Sequence, residues 1–315
     1  MTLSRITKLS LLITVYLIGL SAPKDYSNAE FLVADKNLES RLHQKGSSLP
    51  PVVSFFLPGF DQYRMGEYAS GAFYTTLGVT GLSLAAGAAQ KIEEARLSET
   101  RINEYEKLDR QFVYGSQLYM FAGEMSAYHS FRHSTRLRQR EGEFAFLTDQ
   151  EEPLDLLLAP FAFKELTKPT TFIPLLVLTA VGMAELSEQN KSHAFNSDDL
   201  VFTGGISYNA GVGEEALFRG WIMPNLRQSM GSDFWSNASQ SLIFGVAHYS
   251  ERNRFPIFQV VSGYYLGWLT QRNGWSLQQA AFLHTWWDLL AIGIELASSK
   301  DSNKIVPLPR LSWTF

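Results

Sequence analysis

From Ala69 to Ala89 the chain runs through ASGAFYTTLGVTGLSLAAGAA, 21 residues without a charged side chain. In water-free surroundings the backbone must satisfy its own hydrogen bonds, so such a run folds as a helix, and about 20 apolar residues suffice to cross a bilayer core. Its many Gly, Ala, Ser and Thr residues suit a helix packed closely on a neighbour. This segment therefore points to helices in a membrane, and no period-2 alternation elsewhere argues for strands. The predicted fold class is all-α, a polytopic membrane helical bundle with short, broken helices.

Further apolar helices are expected on both sides of that run. PVVSFFLPGFDQY, from Pro51, is broken by Pro58 and Gly59, and residues 111–131 are apolar but include Glu124 and His129, fitting a buried helix or an imperfect span. Residues 90–110 alternate charge without Gly or Pro and read as one solvated helix laced with i,i+4 pairs. Arg132, Arg136, Arg138 and Arg140 form a basic cluster that normally favours the cytoplasmic side. PLDLLLAPFAFKEL has an amphipathic pattern, and Phe172–Leu186 is a shorter membrane candidate. The last third alternates helical stretches with Gly, Pro and Asn breaks, near 200–230, 236–249, 256–272 and 277–297. Within it, Gly263 and Gly267 stand four apart, a spacing that lets another backbone approach.

Before all this, Arg5 and Lys8 precede an apolar run from Leu9 to Leu20, too short to span and patterned like a secretory signal. Residues 1–22 are read as a signal peptide or N-terminal anchor, 23–199 as an N-terminal region of membrane-associated helices and polar linkers, and 298–315 as a tail. The mean hydropathy of −0.07 is low for a classical multi-span protein, which suggests helices buried among others. A formal net charge of −4 gives no basic field for nucleic acid, which is excluded as a partner. There is no cysteine, so any metal would need His and carboxylate ligands.

Three clusters in the last third carry the chemistry: Glu214, Glu215 and Arg219 in GEEALFRG; Phe244 and His248 in FGVAH; His284 and Asp288 in HTWWD. Successive helical residues point about 100° apart, so Glu214 and Glu215 are not expected to face one partner. Glu215 and Arg219, at i and i+4, form an ion pair that fixes the helix. Glu214 is left without a local cation, and an ionisable group at membrane depth marks function. His284 and Asp288 share one face, as ligand or orienter pairs do. His248, His284 and Glu214 could also hold a divalent metal such as zinc, since two histidines and a carboxylate form a known catalytic set.

EEALFRG, FGVAH and HTWWD, in this order on successive apolar helices, resemble the motifs of the CPBP family of intramembrane proteases, which groups CAAX prenyl endopeptidases with bacteriocin-processing and immunity-related bacterial membrane proteins. The likeness covers about residues 200–297, a CPBP-like protease core. It implies an endopeptidase in a bacterial inner membrane, multi-pass, whose partners are the bilayer and a peptide or protein substrate. Carried over by residue, it makes Glu214 the general base, Glu215 and Arg219 its supporting pair with Phe244, His248 a holder of the water, and His284 with Asp288 the oxyanion pair. The family usually has Asn where this chain has Asp288, and an ionised carboxylate cannot donate to an oxyanion. Asp288 is expected instead to orient His284 or bind a metal. A non-proteolytic scaffold or immunity-type binding protein of the same fold, and an ion or transport path, are the alternatives.

Overall fold

The computed structural model describes residues 49–96, 102–140, 142–148, 151–189, 197–250 and 253–298. The N-terminal signal or anchor lies outside these residues, as does the tail beyond Ser298. All regular structure among the described residues is helical: α1 (Leu49–Phe56), α2 (Phe60–Arg64), α3 (Tyr68–Arg96), α4 (Ile102–Gln139), α5 (Pro153–Leu158), α6 (Pro169–Gln189), α7 (Ser197–Asn209), α8 (Met223–Met230), α9 (Asp233–Ala247), α10 (Ile257–Arg272) and α11 (Gln278–Ser298). A π-helical stretch, Ala210–Ile222, joins α7 to α8.

Helices α3 and α4 form an antiparallel hairpin around which the rest is built. At their crossing a Cβ on Gly81 would lie 2.5 Å from Tyr119 N, and one on Gly115 would lie 2.5 Å from Ala85 N. Backbone meets backbone there, as the small-residue composition of the uncharged run anticipates. The charged stretch 90–110 is not one helix, however. Its first part ends α3 at Arg96 and its last part begins α4 at Ile102, a division that the lack of Gly and Pro concealed.

The short hairpin α1–α2 is pinned onto α4 by a closed polar network. Gly59 N donates to Ser126 Oγ at 2.9 Å, Ser126 Oγ donates to Gln62 Oε1 at 2.7 Å, and Gln62 Nε2 donates to Ser126 O at 3.0 Å. Asp61 N donates to Ser54 Oγ, and Ser130 Oγ donates to the Asp61 carboxylate. The turn needs glycine at 59: its φ is +93°, and a Cβ would fall 2.4 Å from both Gly71 O and Thr75 Oγ1.

PLDLLLAPFAFKEL breaks into α5 and two short 3₁₀ turns, Ala159–Phe161 and Phe163–Thr167. This segment braces α11. Trp286 Nε1 donates to Pro160 O, and Leu277 N donates to Glu151 Oε2 at 3.0 Å beside the start of α11. The basic cluster is largely spent locally: Arg132 is buried, while Arg136 pairs with Glu152 and Arg138 with Glu143.

Among the described residues one helix, Tyr68–Ile92, is long and apolar enough to cross a membrane, and Pro169–Ala184 is a shorter apolar stretch. The remaining helices are too short or too polar for that length test. They nonetheless turn large apolar side chains outward: Ile173, Val177 and Val181 on α6, Leu242 and Val246 on α9, and Ile257 and Val261 on α10 are all exposed. Exposed apolar surface on this scale marks an interaction with lipid or protein.

Candidate active site

The stretch from Ala210 to Ile222 is buried at every residue. π-Helical backbone is rare and falls frequently at functional sites. Here glycines let three neighbours press against it. A Cβ on Gly211 would lie 2.1 Å from Thr285 Oγ1, one on Gly213 would lie 2.2 Å from Glu124 Oε2, and one on Gly220 would lie 2.6 Å from the Tyr128 ring. Helices α4 and α11 thus approach this backbone closely on the two sides of the carboxylate pair.

Glu215 makes the ion pair anticipated from spacing: Arg219 Nη1 donates to Glu215 Oε1 at 2.8 Å, with both side chains fully buried. A buried guanidinium needs more than one partner to offset its lost hydration. Arg219 Nη2 donates to Gly263 O at 3.0 Å, and the guanidinium lies 4.4 Å from the centre of the Phe244 ring. That explains Gly263. A Cβ there would sit 3.0 Å from Phe244 Cδ1 and 3.3 Å from Arg219 Nη2. Gly267 similarly clears room for Asn237, whose Oδ1 would lie 2.0 Å from a Cβ. Both glycines of GYYLG therefore admit side chains, not the neighbouring backbone their spacing suggested.

His248 follows the last residue of α9, and its Nδ1 lies 2.8 Å from Phe244 O. A carbonyl only accepts, so Nδ1 carries the proton and Nε2 is turned to Glu214 Oε2, 3.7 Å away. The Phe244 ring packs 4.4 Å from the His248 ring and 4.9 Å from Phe218, nearly perpendicular to the latter. One aromatic residue thus seats both the histidine and the arginine.

His284, on α11, corrects the expectation that Glu214 and Glu215 serve separate partners. Its Nδ1 is 2.8 Å from Glu215 Oε1, and its Nε2 is 3.9 Å from Glu214 Oε2. The two carboxylates need not point the same way, because the imidazole presents a nitrogen to each. Asp288 Oδ2 lies 3.5 Å from His284 Nε2, longer than the contact with Glu215. The group within hydrogen-bond reach of His284 is thus Glu215.

Glu214, Glu215, Arg219, Phe244, His248, His284 and Asp288 are all buried and all brought together. One further carboxylate joins them. Glu124 of α4 is 3% exposed, abuts Gly213 and interacts electrostatically with Glu214 and His284. It stands out in the sequence as a charge within an apolar helix, but nothing local ties it to a motif about 90 residues later.

The possible metal set of His248, His284 and Glu214 does not find a matching arrangement. Tetrahedral zinc with bonds of about 2.1 Å holds its donors about 3.4 Å apart, and the two Nε2 atoms lie 3.7 and 3.9 Å from Glu214 Oε2. Among the described residues no group of three or more His, Asp or Glu side chains is disposed to hold a metal ion.

The site is thus a buried carboxylate, Glu214, facing two imidazoles and braced by the Glu215–Arg219 pair. Residues 196–290 match the family model described as Type II CAAX prenyl endopeptidase Rce1-like. Over that span the chain is similar to Rce1-like domains, a likeness consistent with the CPBP family of intramembrane proteases. No curated protein and no solved structure matches the chain.

Proposed function

We propose that the protein is a multi-pass endopeptidase of a bacterial inner membrane, hydrolysing a peptide bond of a membrane-associated peptide or protein with a water activated by Glu214. The observation that carries this reading is the facing of both imidazole Nε2 atoms towards one Glu214 oxygen inside a buried cluster. Glu214 takes a proton from the water as its oxygen attacks the carbonyl carbon. His248, its Nδ1 proton held by Phe244 O, offers Nε2 as acceptor for the second hydrogen of that water. His284, anchored through Nδ1 to Glu215, donates from Nε2 to the oxygen on which charge develops. The C–N bond then breaks as Glu214 returns its proton to the leaving amine. No step in this scheme is routed through a metal.

The test compares membrane peptides from cells carrying the wild-type protein with those from cells carrying Glu214→Gln. Truncated products are expected in the first and absent in the second. Full product formation by Glu214→Gln would remove Glu214 as the base.

A further inference from the structure

Helix α7 turns its polar residues inward. Leu200 and Val201 are exposed, whereas Asp199, Thr203 and Ser207, each four residues from the last, are buried on one side together with Ile206, which packs with Ile292 and Leu296 of α11. The next step of four falls on Gly211. There Thr285 Oγ1 of α11 takes the place of a side chain, since a Cβ on Gly211 would lie 2.1 Å from it. A line of polar groups thus runs along the contact between α7 and α11, from the start of α7 to the residue that follows His284. Glu214 stands three residues beyond Gly211.

The outer end of this line reaches towards solvent. Asp199 Oδ1 accepts from Arg110 Nη1 at 2.8 Å, and Arg110 is partly exposed. Between that ion pair and the carboxylate cluster, Thr203 Oγ1, Ser207 Oγ and Thr285 Oγ1 find no hydrogen-bond partner among the described residues, although their residues are only 3%, 0% and 7% exposed. Buried hydroxyls in folded proteins are paired with protein or with ordered water. The spacing suits water: four helical residues rise about 6 Å, and two hydrogen bonds of about 2.8 Å through one bridging water span nearly that distance. We propose that Thr203, Ser207 and Thr285 line a single-file water path that enters beside the Arg110–Asp199 pair and delivers the hydrolytic water to Glu214. The three hydroxyls bind water and touch no bond of the substrate. Each cut of a peptide bond consumes one water, and a carboxylate as buried as Glu214 needs a route for it apart from the space the substrate fills.

The delivery to Glu214 rests on the proteolytic reading above, whereas the path does not, so the two are tested apart. The chain has no cysteine, and a single cysteine can therefore be followed alone. Thr203→Cys, Ser207→Cys and Ile206→Cys are purified in detergent, exposed to silver ion, which is small enough to follow water and binds thiolate, then unfolded, and the remaining free thiol is titrated. Thr203→Cys and Ser207→Cys are expected to lose their thiols about tenfold faster than Ile206→Cys or more, because a packed apolar position opens to solvent only in rare fluctuations. Protection of all three thiols, or equal reaction of all three, overturns the path: the contact is then dry, or opens as a whole. Thermal unfolding identifies any variant that does not fold, and the other of the two polar positions then decides. For the delivery, Thr203→Val and Ser207→Ala remove a hydroxyl with little change of packing. Product formation on membrane peptides is expected to fall about three- to tenfold in each, the factor that one hydrogen bond carries, with unfolding temperatures no lower than the wild type's. Wild-type product formation by both overturns the delivery. Product from Glu214→Gln, or none from the wild type, overturns the proteolytic reading and the delivery with it, while the thiol titration still decides the path.

Discussion

Helix α4 serves two buried polar clusters of opposite design. Around Ser126 and Ser130 the hydrogen bonds of Gly59, Gln62 and Asp61 close on one another, and Ser54, Asp61, Gln62, Ser126 and Ser130 are all fully buried. Around Glu214 the groups are mostly ionisable: Glu124, Glu215 and Asp288 join it against Arg219, and the two imidazoles stand 3.7 and 3.9 Å away, beyond direct hydrogen-bond reach. The first cluster pairs its donors with acceptors, with Arg64 Nη1 3.5 Å from the remaining Asp61 oxygen, and so fixes a turn. The second gathers carboxylates, imidazoles and a guanidinium around one Glu214 oxygen. Satisfied networks rigidify, whereas sites that give up stability for chemistry keep charges close and incompletely matched.

The sharpest separation of the two is expected from Glu214→Gln. The fold keeps its shape and product formation falls by about 10²–10⁴, the range for loss of a general base, measured on membrane peptides and set against an unfolding curve. Next comes Arg219→Ala, which should damage both stability and activity. It leaves the fully buried Glu215 carboxylate with His284 but without its guanidinium, and breaking a buried pair by removing one partner costs about 3–5 kcal/mol. His284 loses its fixed anchor at the same time, so thermal unfolding and activity should fall together. Ser126→Ala should do the converse. It removes the acceptor for Gly59 N and the partner of Gln62, at about 1–3 kcal/mol, yet the retained enzyme should cleave at near the wild-type rate at temperatures where it is folded. A large loss of turnover in Ser126→Ala would show that the two clusters are one functional unit coupled through α4.

How much of this was legible depends on whether the information is local. The helices of the last third were readable because apolar periodicity and Gly or Pro breaks act within one turn. The Glu215–Arg219 pair was readable for the same reason. The end of α3 within a charged stretch was not, since neither sequence punctuation nor polarity marks it. Nor was the π-helical stretch, against whose backbone Gly211, Gly213 and Gly220 admit side chains of distant helices. The double engagement of His284 and the arrival of Glu124 are tertiary facts: the residues are 69 positions apart in the first case, and in the second the apolar helix around Glu124 offered only an unexplained charge. Helical geometry correctly separated the two glutamates but could not foresee that one imidazole reaches both.

The smallest expected effect concerns Asp288, which stands where the family resemblance leads one to expect an amide. Three carboxylates face His284, and they do so unequally: Glu215 at 2.8 Å from Nδ1, Asp288 at 3.5 Å and Glu214 at 3.9 Å from Nε2. Only the first is within normal hydrogen-bond range. If Glu215 is what orients the ring, the charge of Asp288 is dispensable, and Asp288→Asn should keep product formation within about threefold while restoring a donor that an ionised carboxylate lacks. Glu215→Gln should be far more harmful, because it weakens the hold on His284 Nδ1 and the pairing with Arg219 together. The ratio of the two losses, measured in the same membranes, therefore reports which carboxylate positions the imidazole. A severe loss in Asp288→Asn beside a mild one in Glu215→Gln would reverse that assignment and return Asp288 to the role of orienter that its i,i+4 spacing from His284 first suggested.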